Sequence, residues 1–490
     1  MKISLLFLNE SEPQALPISQ KLIYHLSLDR SFSRISVDVK KREYFLSVLS
    51  NLIADEDTIL YRQEILKDFV ANPTLFEELV SLSARFQELQ AAYKRVGKDA
   101  YHLNTTGTAS LDASKNLVSA QALSLKRSLL FVKAYGDLLS RYSLAARGLL
   151  GFASACKDIS ENAATTELLG FCSKYENFSA TGFWDFKFCL NDEGRMEIYE
   201  LIDHRYIHVI DPEQKKKGFS LFKRTEEPNY PCQRFYPAND GLFESFAISA
   251  LSDLSALFGR LCEQIFSQFA SLSQELDFYG VALKYVNELT EKRVPICYPT
   301  VSQKQETQIC GLYDLYLLLS KPTVQDVIPN DFCLANGIGG LLVFGNNGNG
   351  KTVYLRSVAS AQILAQAGLP IPCESAHMML FSQIATQFSE AEKEFCEGNA
   401  AGRFEQEVRE LAQMVDTLHM GALVFLNEPF QSTAYAEGAQ GLCELLRYFS
   451  AIGIRWVLVS HLQQLKDAFN AEEARLAYMC NYRIEQGLNR

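Results

Sequence analysis

The octapeptide Gly345-Asn346-Asn347-Gly348-Asn349-Gly350-Lys351-Thr352 constrains this chain more than any other stretch. It fits G-x-x-x-x-G-K-[ST], and its flanks are the ones such a loop needs. The apolar run Leu341-Leu342-Val343-Phe344 precedes it, and the helical spacing of Tyr354, Val358, Ile363 and Leu364 follows. Glycine and asparagine tolerate the backbone angles that turn successive N–H groups inward onto phosphate oxygens. Lys351 is then expected to reach the β/γ-phosphates and the Thr352 hydroxyl to ligate Mg²⁺. A Gly-rich turn that binds nothing is the bland alternative. Strand, loop, lysine and helix falling in register argue against it.

Two further runs, Ala422-Leu423-Val424-Phe425-Leu426 and Trp456-Val457-Leu458-Val459, have the same length and character. Continuous apolar strands are covered on both faces, so a mainly parallel sheet in an α/β domain is expected. The first run ends in Asn427-Glu428, where a phosphate-loop enzyme carries its metal-organising acid and often a second carboxylate. Glu428 suits a general base for an attacking water. Asn427 would bind a water on Mg²⁺ but adds no charge. The second run ends in Ser460-His461, and a histidine there is placed to sense a γ-phosphate, although a lone histidine is often only structural.

Upstream the chain is helical in pattern. No proline occurs from Thr74 to Asp211, and Leu125, Leu129, Val132, Leu139, Tyr142 and Leu149 share one face of a long helix at near-heptad spacing. From Leu251 to Val286, apolar residues alternate threes and fours without a break, which predicts a single helix about 60 Å long at 1.5 Å per residue. Between these arms, Phe183-Trp184-Asp185-Phe186-Lys187-Phe188 alternates and Tyr206-Ile207-His208-Val209-Ile210 is β-rich. Lys215, Lys216, Lys217, Lys223 and Arg224 follow, the densest basic cluster of the chain, and candidate DNA contacts; a solvated loop is the plain alternative.

Composition sets limits. With 47 basic and 58 acidic side chains the net charge is −11, so a nucleic-acid surface over the whole molecule is excluded. Residues 204–224 nevertheless carry +4, leaving −15 for the rest. The 12 cysteines are scattered singly, with no C-x-x-C, and read as buried reduced thiols of a cytoplasmic protein. No stretch reaches the roughly 18 apolar residues of a membrane helix, so no membrane partner is expected.

The chain resembles the MutS family of DNA mismatch-repair ATPases. The loop Gly345 to Thr352 is similar to that family's G-P-N-M-G-G-K-[ST]. Val327 to Asp331 looks like its nucleotide-flanking segment, Gly368 to Pro372 like its G-x-x-[VI]-P turn, and Phe381-Ser382-Gln383-Ile384 like its F-x-R-I. Glu428, Thr433 and Gly438 match its D-E-x-x-x-G-T-x-x-x-x-G run, Ser460-His461 its switch, and Tyr61 to Asp68 its Y-R-Q-E core segment. The resemblance implies ATP and Mg²⁺ as ligands, with Gly345, Asn346, Asn347, Gly348, Asn349, Gly350, Lys351 and Thr352 around the nucleotide. It further implies Val327 where an aromatic often stacks on adenine, Thr352 and Asn427 at the metal, and Glu428 and His461 in catalysis. Duplex or branched DNA and a second copy, paired through the ATPase domain, are the implied partners.

The departures are specific. The metal aspartate is Asn427. The Ser-Thr-Phe signature that completes a partner's site reads Gly402-Arg403-Phe404, with Glu407 retained. A mismatch-reading domain before the lever, the family's C-terminal dimerising helices and its nuclease domain are all expected to be missing. Slow hydrolysis, or a nucleotide-dependent scaffold for a protein partner, follows from these changes. The expected architecture is multidomain α and α/β: a long-helix lever and clamp region followed by a P-loop ATPase domain of ABC/MutS type with a mainly parallel sheet. The boundaries are 1–100 (core and lever entry), 101–177 (lever helices), 178–240 (β-rich clamp-like insertion), 241–294 (returning lever helix) and 295–490 (ATPase domain).

Overall fold

The computed structural model describes residues 3–8, 16–17, 20–105, 110–176, 182–190, 196–206, 241–303, 306–388, 400–430, 435–470 and 473–486. It combines helices with mixed sheets in two compact units. One comprises residues 1–80, 141–152 and 271–490, the other 81–140 and 153–270. No helix among the described residues is long and apolar enough to cross a membrane.

The first unit is built on a six-stranded sheet with the spatial order Gln383–Phe388, Ala422–Asn427, Arg455–Val459, Gly340–Phe344, Ala474–Cys480, Arg483–Gln486. The first five strands run parallel and only the last turns back. The three runs singled out by their continuous hydrophobicity are all strands of it. Strands Gly340–Phe344 and Ala422–Asn427 are buried at every position, as a sheet covered on both faces requires. Trp456 fills the layer, fully buried, with its indole N–H donating to Ser450 Oγ at 3.0 Å. Gly340 sits across from that ring, and any Cβ there would overlap it. A second, four-stranded sheet has the order Thr300–Ser302, Ser375–Met379, Thr307–Leu312, Asn330–Leu334.

The helix after the phosphate loop, Lys351–Gln366, ends against the N-terminal part of the same unit. Gly368 follows it at φ 82°, and a Cβ there would lie 2.5 Å from Arg62 Cβ, so only glycine fits both the turn and the contact. Arg62, on helix Glu56–Ala71, is wholly buried. Its Nε donates to the Leu6 carbonyl at 2.9 Å and its Nη1 to the Ala367 carbonyl at 3.3 Å. Burial pulls the guanidinium down to about 10, still charged at neutral pH. Gln366 adds a bond to the Ile53 carbonyl at 2.7 Å. Segment 3–8 is itself held by Glu275, which accepts from Ser4 and Leu5, and by Tyr279, which donates to the Leu5 carbonyl at 2.7 Å.

Arg62→Met keeps the volume but removes both donors from buried carbonyls. It should cost about 2–4 kcal/mol, since bonds from charged donors are worth about 1.5–3 kcal/mol each. Thermal unfolding measures this, and an unchanged transition would rule out the anchoring role.

The second unit is a helical layer with an aromatic centre. Helix Leu111–Leu139 packs on Ala163–Tyr175 and on Gly241–Gln268. Phe86, Tyr135, Phe266 and Phe269 meet at centroid distances of 5.3 to 6.2 Å. Strands Gly182–Leu190 and Met196–Tyr206 form an antiparallel pair and include the alternating run from Phe183.

Two helical expectations are corrected. The run from Leu251 to Val286 is two helices, Gly241–Gln268 and Leu272–Glu291, separated at 269–271 where one unit gives way to the other. Phe269 and Leu272 keep the apolar spacing because each is buried in its own unit, so the periodicity carries no mark of the break. Likewise Leu139 ends its helix, and Leu149 belongs to Arg147–Ser160.

Candidate functional site

The parallel strands deliver the chosen residues to one edge of the sheet. Asn427 pairs with Val459 and Val459 with Val343, so Asn427-Glu428, Ser460-His461 and Gly345 emerge side by side at the carboxyl ends. Ligands of open α/β sheets bind at this edge. Two bonds extend the alignment past the strands: Glu428 N–H donates to the Val459 carbonyl at 2.9 Å and Ser460 N–H to the Val343 carbonyl at 3.1 Å.

The loop between Phe344 and Lys351 depends on its glycines. Gly345, Gly348 and Gly350 have φ of 149°, 82° and 90°. A Cβ on Gly345 would stand 2.6 Å from the Met479 carbonyl, whereas Gly348 faces open space, as a wall meant for a ligand would. Asn349 ties the loop down, its Nδ2 donating to Met479 O at 3.3 Å. Lys351 Nζ folds into the loop, donating to Gly345 O (2.8 Å), Asn346 O (3.2 Å) and Asn347 Oδ1 (3.4 Å). It also ion-pairs with Glu428 Oε1 at 3.3 Å. Thr352 Oγ1 donates to Asn427 Oδ1 at 3.0 Å. The expected hydroxyl and amide at the metal position are therefore neighbours, and both oxygens suit a hard cation.

Beside the loop lies a cleft of about 640 Å³, within the usual range for a small-molecule site. Asn347, Gly348, Gly350, Lys351, Thr352 and Glu428 form its phosphate-like end, and Leu312, Leu317, Val327, Ile328 and Val353 its apolar end. Val327 is thus at the cleft, as the sequence placed it, but buried and aliphatic. Tyr354 closes the floor. Its hydroxyl donates to Asp331 O at 2.9 Å, and burial pushes it far above the usual tyrosine range, so it stays a neutral donor. Arg356, from the same helix, makes a two-pronged bond to Asp314 (2.9 and 2.7 Å), and Asp314 in turn caps helix Leu315–Ser320 through Leu317 N–H.

Sequence reasoning missed Tyr482, which also lines the cleft. Asn481 and Tyr482 have φ of 47° and 66°, both left-handed, and form the two-residue turn between the last two strands. Asparagine takes that conformation readily; a tyrosine rarely does. The hairpin is held from the small sheet: Asn330 Nδ2 donates to Tyr482 O at 3.0 Å, and its Oδ1 accepts from Ile484 N–H at 2.7 Å. The Tyr482 ring consequently sits over the loop's end, with Cδ1 3.2 Å from where a Gly350 Cβ would be. Only the Asn-aromatic pair between two short β-like runs hinted at this.

The remaining candidates are placed unevenly. His461 follows the central strand and is half-buried but is not among the residues lining the cleft. Glu407 lies on helix Ala400–Thr417, buried, and accepts from Phe430 N–H at 3.1 Å. The Arg403 side chain, Thr433, and the whole cluster Lys215, Lys216, Lys217, Lys223 and Arg224 lie outside the described residues. Among the described residues the cysteines are free, but not all buried: Cys480 is exposed and Cys297, Cys310 and Cys333 are half-buried.

The family model described as MutS domain V matches residues 341–486, from the strand before the phosphate loop to the end of the last strand of the six-stranded sheet. Over this stretch the chain is similar to the MutS family. The MutS resemblance extends to curated relatives. The DNA mismatch repair protein MSH2 of Zea mays is 24% identical over 48% of this chain and 23% of its own length. The DNA mismatch repair protein MutS of Bacillus pumilus is 26% identical over 45% of the chain and 26% of its own length. Endonuclease MutS2 of Streptococcus sanguinis is 24% identical over 44% and 26%. The chain thus spans about a quarter of the length of these MutS relatives.

Proposed function

We propose that this chain binds ATP with Mg²⁺ in the cleft beside Gly345–Thr352, hydrolyses it slowly, and couples nucleotide state to closure of a clamp on duplex or branched DNA. The observation that carries the nucleotide part is the convergence of Lys351, Thr352 and Glu428 in one cleft, with Asn427 bonded to Thr352 beside them. Backbone N–H groups of the loop and the Lys351 ammonium hold the β- and γ-phosphates, and the helix N-terminus adds its partial positive charge. The apolar end takes the base, with the Tyr482 ring offering the flat face that Val327 lacks. The Thr352 hydroxyl and the Asn427 amide would hold Mg²⁺, which would supply positive charge against the phosphates.

Glu428 accepts the proton of the attacking water. In the present arrangement Glu428 and Lys351 are paired, so the phosphates must compete for Lys351 before the carboxylate can turn to water. That competition links binding to arming the base. His461, at the next strand end, reports the γ-phosphate. The relatives named for DNA mismatch repair support a DNA-related role, and the net +4 of residues 204–224 supports contact there.

Asn427 favours a second reading, a nucleotide-dependent scaffold that binds a protein partner without turnover. Steady-state phosphate release with and without plain, mismatched and branched duplexes separates the two. Turnover stimulated by one duplex, with affinity falling steeply with salt and on replacing Lys215 to Lys217, is expected for the clamp. No turnover and salt-independent, weak DNA binding would leave the scaffold.

A further inference from the structure

Cys297 and Cys373 take no part in the nucleotide cleft, yet they meet beside the four-stranded sheet, with Cys310 close by. Cys297 is paired with Ile371 through two backbone bonds, of 3.0 and 2.8 Å. Cys373 lies two residues further on, its N–H turned back onto the Ile371 carbonyl at 3.0 Å. This brings the Cys373 thiol into hydrogen-bond contact with the Cys297 sulfur. The Cys310 carbonyl accepts from Glu374 N–H at 3.0 Å, which puts a third thiol near the buried Cys373. Cys297 is half-buried and so within reach of a small oxidant.

Other groups around Cys297 favour its anion. The Ala376 N–H bonds its sulfur, and the Lys67 ammonium is near, held 4.7 Å from the Tyr298 ring centre. The bond from Cys373 is the main influence and pulls the Cys297 thiol down to about 6, against the opposing effect of burial. Cys373 is pushed upward by that same bond and by desolvation, so it keeps its proton. Elsewhere burial drives Cys156 up to about 12, and burial, with Cys172 and Glu263 nearby, does the same to Cys262, which makes them inert.

We propose that Cys297 and Cys373 form a peroxide-oxidisable pair, with Cys297 as the attacking thiolate and Cys373 as the resolving thiol. In the first step the Cys297 thiolate attacks one oxygen of hydrogen peroxide; an S–O bond forms, the O–O bond breaks, and hydroxide leaves and is protonated by solvent. In the second, the Cys373 sulfur attacks the sulfenic sulfur; the S–S bond forms, the S–O bond breaks, and the hydroxyl leaves as water with the Cys373 proton. Two thiols are oxidised and one peroxide is reduced to two waters. A disulfide needs the two Cα atoms within about 7 Å of one another, and the pairing of Cys297 with Ile371, two residues from Cys373, brings these backbones together. The product would staple the chain entering from helix Leu272–Glu291 to the turn after the phosphate-loop helix.

Speed alone would not identify the pair. A thiol so lowered is more ionised at neutral pH but also less nucleophilic as an anion, so the two effects largely offset. The disulfide itself is the discriminating product. The reduced full chain, freed of reductant, is treated with one equivalent of hydrogen peroxide, its remaining thiols are alkylated, and unreduced peptides are mapped by mass spectrometry. A Cys297–Cys373 peptide that disappears with dithiothreitol is expected as the main product. Cys373→Ser should yield no linked peptide and a Cys297 sulfenic acid trapped by dimedone, while Cys297→Ser should leave Cys373 alkylatable. Parent-chain mapping stands even if a variant fails to fold. A linkage through Cys310 instead, or an unmodified Cys297 at a dose that oxidises exposed Cys480, would overturn the proposal.

Discussion

Lys351→Ala should weaken ATP binding at least ~100-fold. The ammonium is buried within the loop and makes three contacts to loop oxygens besides its pairing with Glu428. Two charge-assisted bonds to phosphate oxygens at about 1.5–3 kcal/mol each amount to at least ~3 kcal/mol, or about two powers of ten at roughly 1.4 kcal/mol apiece. Alanine cannot restore them, and water admitted to the site screens what remains. Isothermal calorimetry with ATP and Mg²⁺ gives the answer, with thermal unfolding as the check that the loop's loss has not undone the sheet. Binding within about threefold of the parent would mean that the cleft is not a triphosphate site.

Asn427→Asp should raise turnover, and lower the Mg²⁺ concentration needed for it, each by on the order of tenfold. Asn427 is buried, with its Oδ1 3.0 Å from the Thr352 hydroxyl, so exchanging amide for carboxylate places a full negative charge where the cation is expected. The isosteric change keeps the contact to Thr352, and any gain is therefore electrostatic. Without divalent cation the variant should unfold at a lower temperature than the parent, since the new charge is then buried uncompensated. Phosphate release followed across a Mg²⁺ titration tests this. A flat response would show that the amide is not what limits the reaction, and would favour the scaffold.

What could be read beforehand follows from which forces are local. Strands such as Leu341–Phe344 announce themselves because burial on both faces demands an unbroken apolar run, and Gly345 to Thr352 because the backbone angles demand glycine. The break at 269–271 was invisible, because Phe269 and Leu272 preserve a helical spacing while serving different cores. Tyr482 was hidden for another reason. Its place over the loop depends on a left-handed turn and on Asn330, which reaches it from the other sheet. The meeting of Cys297 with Cys373 rests on one isolated backbone pairing between distant segments, for which single cysteines carry no pattern.

The seat of the phosphate-loop helix has one more consequence. Gln366 and Ala367 satisfy their buried polar groups partly outside residues 341–486: the Gln366 amide donates to the Ile53 carbonyl as well as to that of Phe381, and the Ala367 carbonyl accepts from Arg62. The stretch that matches the family model therefore leans on residues outside it. Excised at its family boundary, it would lose two of the partners that keep these groups out of water, and the bonds to Phe381 and Gln362 would remain to hold Gln366. The contacts behind this helix end reach back to the strap at 3–8, so the family match and the packing draw different borders on this chain.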